Sequence, residues 1–227
     1  MGGCFILQSQ KCYTEYMRWF LFVIIGAFVV AVGLAQYVNL HQPSVQPPVT
    51  VATTTDESTP DLGSVVNFMD PDYNFSLMRP ELASIVSDVS DGYLPYTHSP
   101  VAGFELSSDL FQGTNLSQAG VYIGVTASST MLDGCTKPST EVLEKATGTA
   151  TFKGVTWNVF TSNDAAAGNL YDSKTYRTVH NGQCYEITEL LHSGNIGNFP
   201  PGTVVQFDHD KFSNILESIA QTFSFTK

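Results

Sequence analysis

Alternating apolar and polar positions in the C-terminal half of the chain predict four β-strands. The expected strands are 148–152, 155–161, 173–180 and 183–191. Lys153-Gly154 predicts a tight turn, and residues 163–169 are expected to form a loop. Asn181-Gly182 predicts a hairpin, because both central residues of a type I′ turn need positive φ, which Asn and Gly tolerate. Four strands joined in chain order by three turns form an antiparallel meander.

Near the C-terminus, four apolar residues at i, i+3, i+4 and i+7 predict a helix. These residues are Phe212, Ile215, Leu216 and Ile219. We expect either Asp208 or Asp210 to cap this helix, and its apolar stripe to pack on the sheet. Residues 192–203 are expected to form a loop, and residues 204–207 and 222–225 are expected to be short strands.

The pattern between residues 64 and 147 is less regular, but it still contains strand-like segments. Strands are expected at 74–78, 103–106 and 120–127. Residues 81–89 fit either a strand or a helix. Residues 140–146 are predicted to be a short helix, because an early Glu141 and a late Lys145 match the helix dipole. The predicted fold class is α+β, an antiparallel β-sheet (the meander) flanked by helices.

The longest apolar segment, residues 19–38, predicts one N-terminal transmembrane helix that acts as a signal anchor. Its 20 residues include one polar side chain, and a helix of that length spans roughly 30 Å, the thickness of bilayer hydrocarbon. Lys11 and Arg18 precede it, so the positive-inside rule places residues 1–18 in the cytoplasm. The lipid bilayer is therefore an expected partner. The alternative is a signal peptide that is cleaved after Ala35.

The segments on either side of the anchor complete the predicted domain organisation. Residues 39–63 contain four prolines and many Ser and Thr residues without apolar periodicity, which is typical of an extended linker. Residues 64–227 are then the folded extracytoplasmic domain. Met17 is an alternative start to Met1.

Charge and motifs narrow the classes of function. The chain has 10 Lys and Arg against 21 Asp and Glu, a net charge of -11, which argues against nucleic acid as a partner. The sequence contains no glycine-rich nucleotide-binding motif and no nucleophile motif. We therefore predict no catalytic residues and no cofactor, and a non-enzymatic protein is favoured while an enzyme stays open as the alternative.

The cysteines and histidines give one structural prediction. Cys135 and Cys184, the two cysteines that follow the anchor, are predicted to form a disulfide in an oxidising compartment; the alternative is two buried thiols. No histidine has the spacing of a metal site, so no metal ligands are predicted. His209 lies between Asp208 and Asp210, where capping of a helix is favoured over weak metal binding.

The loops expected at 163–169 and 194–202 lie at the same end of the predicted hairpin, away from Asn181-Gly182. Because binding residues are often carried on loops held by a rigid sheet, this end is a candidate ligand site. The candidate residues are Asp164, Asn169, Tyr171, Tyr176, Arg177, His192 and Asn195. The alternative is turn chemistry without a ligand.

Four C-terminal motifs also carry a resemblance to known proteins. They are the C-Y-E-I strand from Cys184, the H-x-x-N-I-G-N-x-x-P-G-T loop at 192–203, the D-A-A-A-G-N segment at 164–169 and the closing T-F-x-F. Together they resemble small membrane-anchored bacterial extracytoplasmic proteins of unknown function, and the order of elements is similar to the PsbP-like fold. That resemblance implies an accessory or binding module and implies no catalytic residues.

Three functions follow as expectations. The first is a non-enzymatic binding or accessory role at the cell envelope, with an envelope protein or a small molecule as the ligand. The second is an envelope hydrolase that uses the 163–202 loop end, which requires a His–carboxylate or His–Ser pair within about 3 Å. The third is a pilin-like structural subunit, although Pro47-Pro48 would break the continuous helix of a pilin.

Overall fold

The computed structural model describes residues 62–226, which fall within one compact unit of the chain. The predicted anchor at 19–38, the segment before it and most of the linker lie outside the described residues, and the domain boundaries stay predictions. Within 62–226, no helix has both the length and the apolar character needed to cross a bilayer.

The predicted meander is present, and its strands are longer than the sequence pattern suggested. Its strands are β6 (Lys145–Phe152), β7 (Val155–Ala166), β8 (Asn169–His180) and β9 (Gln183–Gly194), paired antiparallel in chain order. The turns Lys153-Gly154, Ala167-Gly168 and Asn181-Gly182 have positive φ at both residues, as a type I′ hairpin requires. The hairpin at Asn181-Gly182 is therefore confirmed.

The loop expected at 163–169 is wrong. β7 continues to Ala166 and β8 begins at Asn169, so only Ala167 and Gly168 form the turn. The polar and alanine-rich segment lacks the alternation of a half-buried strand, because its side chains are exposed. The segment is a strand because its backbone pairs with β8, for example at Asp164, which lies opposite Tyr171.

Six further strands complete two antiparallel sheets. They are β1 (Val65–Asp70), β2 (Phe75–Pro80), β3 (Ala83–Ile85), β4 (Pro100–Leu106), β5 (Leu116–Thr126) and β10 (Ser224–Phe225). The smaller sheet has the order β1-β2-β10, and the larger sheet has the order β3-β4-β5-β9-β8-β7-β6. The structure confirms a mixed α+β fold that consists mainly of antiparallel strands.

The described α-helices are α1 (Ser129–Leu132) and α2 (His209–Ala220), and three short 3₁₀-helices lie at Asp91–Tyr93, Ser108–Phe111 and Ile196–Asn198. Asp208 caps α2, since its side chain accepts a hydrogen bond from the backbone N–H of Lys211 at 3.0 Å. The four predicted stripe residues of α2 are all buried. Residues 204–207 form no strand; Val205 makes an isolated parallel bridge to Thr114.

The helix predicted at 140–146 is wrong. Leu143 has a positive φ of 52°, which no α-helix accommodates, and β6 begins at Lys145. Glu144 is buried and accepts a hydrogen bond from the backbone N–H of Ser139 at 2.6 Å. The tertiary partners of Glu144 therefore outweigh the local charge pattern.

The larger sheet has two differently covered faces. Successive side chains of a strand point to opposite sides, so Asp172, Lys174 and Tyr176 of β8 share one side, which packs against α2 and which we call the helix face. Tyr171 and Arg177 lie on the opposite side, the loop face, which is covered by segments from 86–99 and 127–144. The main core lies on the helix face and includes Phe75, Leu77, Phe104, Val121, Ile123, Trp157, Ile187, Leu216 and Phe223.

Candidate functional site

The loop end of the β7–β8 hairpin brings together three of the predicted ligand residues. Tyr171 and His192 are directly opposite each other on β8 and β9, and their rings stack at 4.4 Å between centroids. His192 Nε2 lies 3.0 Å from the side-chain oxygen of Asn169. The Asn195 side chain accepts a hydrogen bond from the backbone N–H of Gly197, so it shapes the following turn.

Burial lowers the pKa of His192, so its imidazole is neutral at physiological pH. Its described hydrogen-bond partner is an amide, not a carboxylate or a serine. The pair that the hydrolase hypothesis requires is therefore not formed by His192 within the described part of the chain.

A cleft of about 250 Å³ opens beside this stacked pair, and we call it the loop-face cleft. Its wall is apolar and aromatic where Tyr93, Tyr171 and Leu190 line it. Its floor carries the hydroxyl groups of Ser162 and Ser173, which lie 2.7 Å apart. The remaining lining includes Asp164, Pro95, Val142 and Thr188. A small site with an aromatic wall and few polar groups suits an uncharged or weakly polar ligand.

The structure does not bring Tyr176 and Arg177 into the loop-face cleft. Tyr176 is fully buried on the helix face within the main core. Arg177 is on the loop face but has no solvent exposure, and its guanidinium lies 4.4 Å from the Tyr96 ring and 4.1 Å from the Phe160 ring. Their closeness in sequence to Tyr171 had placed both residues near the site. The prediction failed because successive residues of a strand alternate between its two faces and lie progressively farther from its end.

Arg177 forms the centre of a buried ionic network under the loop-face covering segments. It pairs with the Glu144 carboxylate and donates a hydrogen bond to the backbone oxygen of Lys137 at 2.9 Å. A second carboxylate, Glu186, lies 4.0 Å from it. Burial raises the pKa of Glu186, against the opposing effects of Thr97, whose backbone N–H donates to it at 2.6 Å, and of Arg177.

The predicted disulfide between Cys135 and Cys184 is confirmed. Both residues are fully buried, and Cys184 lies at the start of β9 while Cys135 follows α1. The bond therefore fixes the 127–144 segment to the larger sheet, beside the Arg177 network.

A second and larger cleft, of about 340 Å³, lies on the helix face between β7, β8, β9 and the first turns of α2. We call it the helix-face cleft. The charged and titratable residues that line it are Asp172, Lys174, Glu189, His209 and Glu217. Sequence reasoning missed this site. Its signal was Glu189, a carboxyl on a strand face otherwise formed by Tyr185, Ile187 and Leu191.

Glu189 is the unusual group of the helix-face cleft. It is 5% exposed, and its Oε1 has no hydrogen-bond partner among residues 62–226. Burial raises its pKa to about 8; Lys174 and Tyr176 oppose this shift and the charge of Glu217 adds to it. Burial raises the pKa of Tyr176, and the neighbouring carboxylates Glu189 and Glu217 raise it further.

At the rim of this cleft, His209 lies near both a hydroxyl and a carboxylate. Ser213 Oγ is 3.4 Å from His209 Nδ1, and Asp172 Oδ2 is 3.8 Å from Nε2. Both distances exceed the roughly 2.6–3.2 Å of a working nucleophile–base–carboxylate relay, and the His209 side chain is half exposed. The arrangement therefore does not activate Ser213. Within residues 62–226, no group of three or more His, Cys, Asp and Glu side chains is placed to hold a metal ion.

Comparison with protein-family models and with curated proteins gives no match. Among solved structures, the chain is similar to a protein from Bacteroides thetaiotaomicron VPI-5482 at 12% identity and a TM-score of 0.39, covering 71% of this chain. The chain spans about half, 48%, of that protein's length.

Two other solved structures match over most of their own length. Cyanobacterial PsbP (CyanoP) from Synechocystis sp. PCC 6803 is similar at 12% identity and a TM-score of 0.43, with 72% of this chain and 93% of that chain covered. LpqN of Mycobacterium tuberculosis, described as involved in cell envelope biogenesis, is similar at 10% identity and a TM-score of 0.41, with 72% and 91% covered.

Proposed function

We propose that this protein is a membrane-anchored extracytoplasmic domain with a non-enzymatic binding or accessory role at the cell envelope, and that its ligand occupies the loop-face cleft. The observation that carries the proposal is the cleft itself, with Tyr93 and Tyr171 as aromatic walls above a hydroxyl-lined floor. Hydroxyl pairs and aromatic faces together suit a ligand with one apolar face and hydroxyl or amide groups on its edge. N-acetylglucosamine has this chemistry and is the probe of choice.

The binding role is tested by titrating the isotope-labelled protein with N-acetylglucosamine and following amide chemical shifts. We expect shifts that cluster at Ser162, Ser173 and Leu190 and that saturate. Tyr171→Ala should weaken binding about 10-fold, because the ring is lost as a stacking surface, a loss of order 1 kcal/mol.

Tyr73→Ala is the matched control, since it removes the same type of half-buried side chain from the turn between β1 and β2, on the other side of the molecule. It should leave the affinity unchanged. An absence of saturable shifts, or an equal effect of both variants, would contradict the placement of the ligand in this cleft.

The anchor is proposed from the apolar segment 19–38 and the basic residues that precede it. The test is the intact mass of native protein extracted from membranes and alkylated with and without reductant. We expect an uncleaved chain with two alkylated cysteines before reduction, Cys4 and Cys12, and four after it. A start at Met17 would change these counts to none and two.

A mass beginning at Gln36 would contradict the anchor and indicate a released domain. Alkylation of Cys135 and Cys184 without reductant would contradict the oxidising compartment. Neither result depends on whether the loop-face cleft binds a ligand, so the two parts of the proposal are tested separately.

A further inference from the structure

We propose that the helix-face cleft is a second ligand site, that it accepts a primary ammonium group, and that Glu189 is the contact that holds this group. The site is on the opposite face of the larger sheet from the loop-face cleft and does not depend on the function proposed above.

The first argument is that a buried carboxyl oxygen in this cleft has no hydrogen-bond partner within residues 62–226. Glu189 lines the cleft at 5% exposure, and its Oε1 has no hydrogen-bond partner that meets geometric criteria among the described residues. More than nine in ten buried polar groups in proteins do have partners. The Glu189 carboxylate accepts hydrogen bonds, and an ammonium group offers three donors and no acceptor.

The second argument is the balance of charge in the cleft. Lys174 is paired with Glu217 at 3.0 Å. Its charge favours the Glu189 carboxylate, but it forms no described ion pair with Glu189. Asp172 lies at the rim, 3.8 Å from His209. An added cation therefore meets one acidic group without a described ion-pair partner, Glu189, and the net charge of -11 attracts cations to the protein from a distance.

When the ammonium group binds in the cleft, Glu189 releases its proton. With a pKa of about 8, Glu189 holds its proton at pH 7 in the empty cleft. The ammonium favours the carboxylate, so the Glu189 proton leaves to solvent as the ion pair forms, and charge is conserved. The groups that face Glu189 are Lys174, Asp172 and Tyr176 from β8 and His209 and Glu217 from α2. Affinity should therefore rise as the pH rises towards 8.

The size and donor set of the cleft favour a small organic amine over a metal ion. A volume of about 340 Å³ is at the lower end of ligand pockets, which span roughly 300–1,000 Å³. Leu191 and Leu216 give part of the wall an apolar surface for an alkyl chain. No set of three metal-ligating side chains is placed there or elsewhere in residues 62–226.

The experiment is calorimetric titration of the full-length protein in neutral detergent with n-butylamine, and with n-butanol as the uncharged analogue. Titration at pH 7 in phosphate and in MOPS, two buffers that differ in ionisation enthalpy, gives the number of protons released. We expect saturable binding of butylamine with the release of close to one proton, and at least 10-fold weaker binding of butanol.

Glu189→Gln should weaken butylamine binding at least 10-fold and abolish proton release. Glu141→Gln is the matched control, because it makes the same change at an exposed carboxylate on the other face, and it should behave as the wild type. Ser213→Phe fills the rim of the cleft without altering Glu189 and should also block binding, which guards against a Glu189→Gln variant that folds poorly.

Equal binding of butanol and butylamine would overturn the proposal, because it would make the cleft merely apolar. The proposal would also be overturned by undiminished butylamine binding in Glu189→Gln, by binding without proton release, or by preferential binding of calcium or magnesium. An absence of saturable butylamine binding would overturn it directly.

Discussion

Replacement of Arg177 by Met is expected to destabilise the folded domain by about 3 to 5 kcal/mol, the typical cost of removing one partner from a buried ion pair. The substitution keeps a long apolar side chain between Tyr96 and Phe160, so most of the packing is retained. What is lost is the only described cation beside the buried Glu144 and Glu186 carboxylates. The free energy of unfolding from urea titration at pH 7 measures this loss.

Arg79→Met is the matched control, since half-buried Arg79 donates hydrogen bonds to the backbone oxygens of Pro80 and Ala83 and forms no described ion pair. It should cost about 1 to 2 kcal/mol. The loss in Arg177→Met should also shrink as the pH falls, because burial raises the pKa of Glu186 and its protonation removes one uncompensated charge. A loss that is below about 1 kcal/mol, or that does not change with pH, would show that packing and not charge holds this region.

Glu189→Gln is expected to become more stable relative to the wild type as the pH rises. The pKa of Glu189 is raised from 4.5 in the unfolded chain to about 8 in the folded domain, so the folded state holds the proton more tightly. The stability that Glu189 contributes is therefore complete below about pH 4.5 and is lost as the pH rises through 8. Between about pH 5.5 and about pH 7.5, the difference between variant and wild type should change by roughly 2 to 3 kcal/mol.

The measurement is the free energy of unfolding of both proteins across this pH range. Comparison with the wild type cancels the contributions of other groups to the pH dependence of the free energy of unfolding. The raised pKa of Glu186 acts in the same direction as that of Glu189, and the lowered pKa of His192 acts in the opposite direction. Glu141→Gln, which makes the same change at an exposed carboxylate, is the matched control. A constant difference between Glu189→Gln and the wild type would mean that Glu189 is ionised in the folded domain at neutral pH.

Arg177 and Glu189 show which features of the site could not be predicted from the sequence. The pattern placed Arg177 at a loop end because it lies close in sequence to Tyr171, but Arg177 is six positions along the same strand and under the covering segments. Its partners Glu144 and Glu186 come from other elements, at separations that a local pattern does not encode. Tyr171, Asn169 and His192 do lie close together, because the turns of the hairpin fix the cross-strand register of β8 and β9.

Some strands and helices could likewise be predicted from the sequence, and others could not. Alternation and the Asn181-Gly182 turn were sufficient to predict the meander, and the i, i+3, i+4, i+7 stripe was sufficient to predict α2. The helix predicted at 140–146 failed because tertiary contacts bury Glu144 and the positive φ of Leu143 ends any helix there. The strands through 163–169 were missed because exposed ladder pairing leaves no apolar pattern.

Local periodicity and turn chemistry were therefore enough to predict the antiparallel meander and the C-terminal helix, and the presence of two cysteines in the domain was enough to predict the Cys135–Cys184 bridge. The contacts between the sheet and the segments that cover it could be read only from the folded structure. It placed Tyr93 over the loop-face cleft, Glu144 against Arg177 and Glu217 near Glu189. Clefts and shifted pKa values arise from contacts between distant segments, and burial, which sets the pKa of Glu189, exists only once those segments are packed.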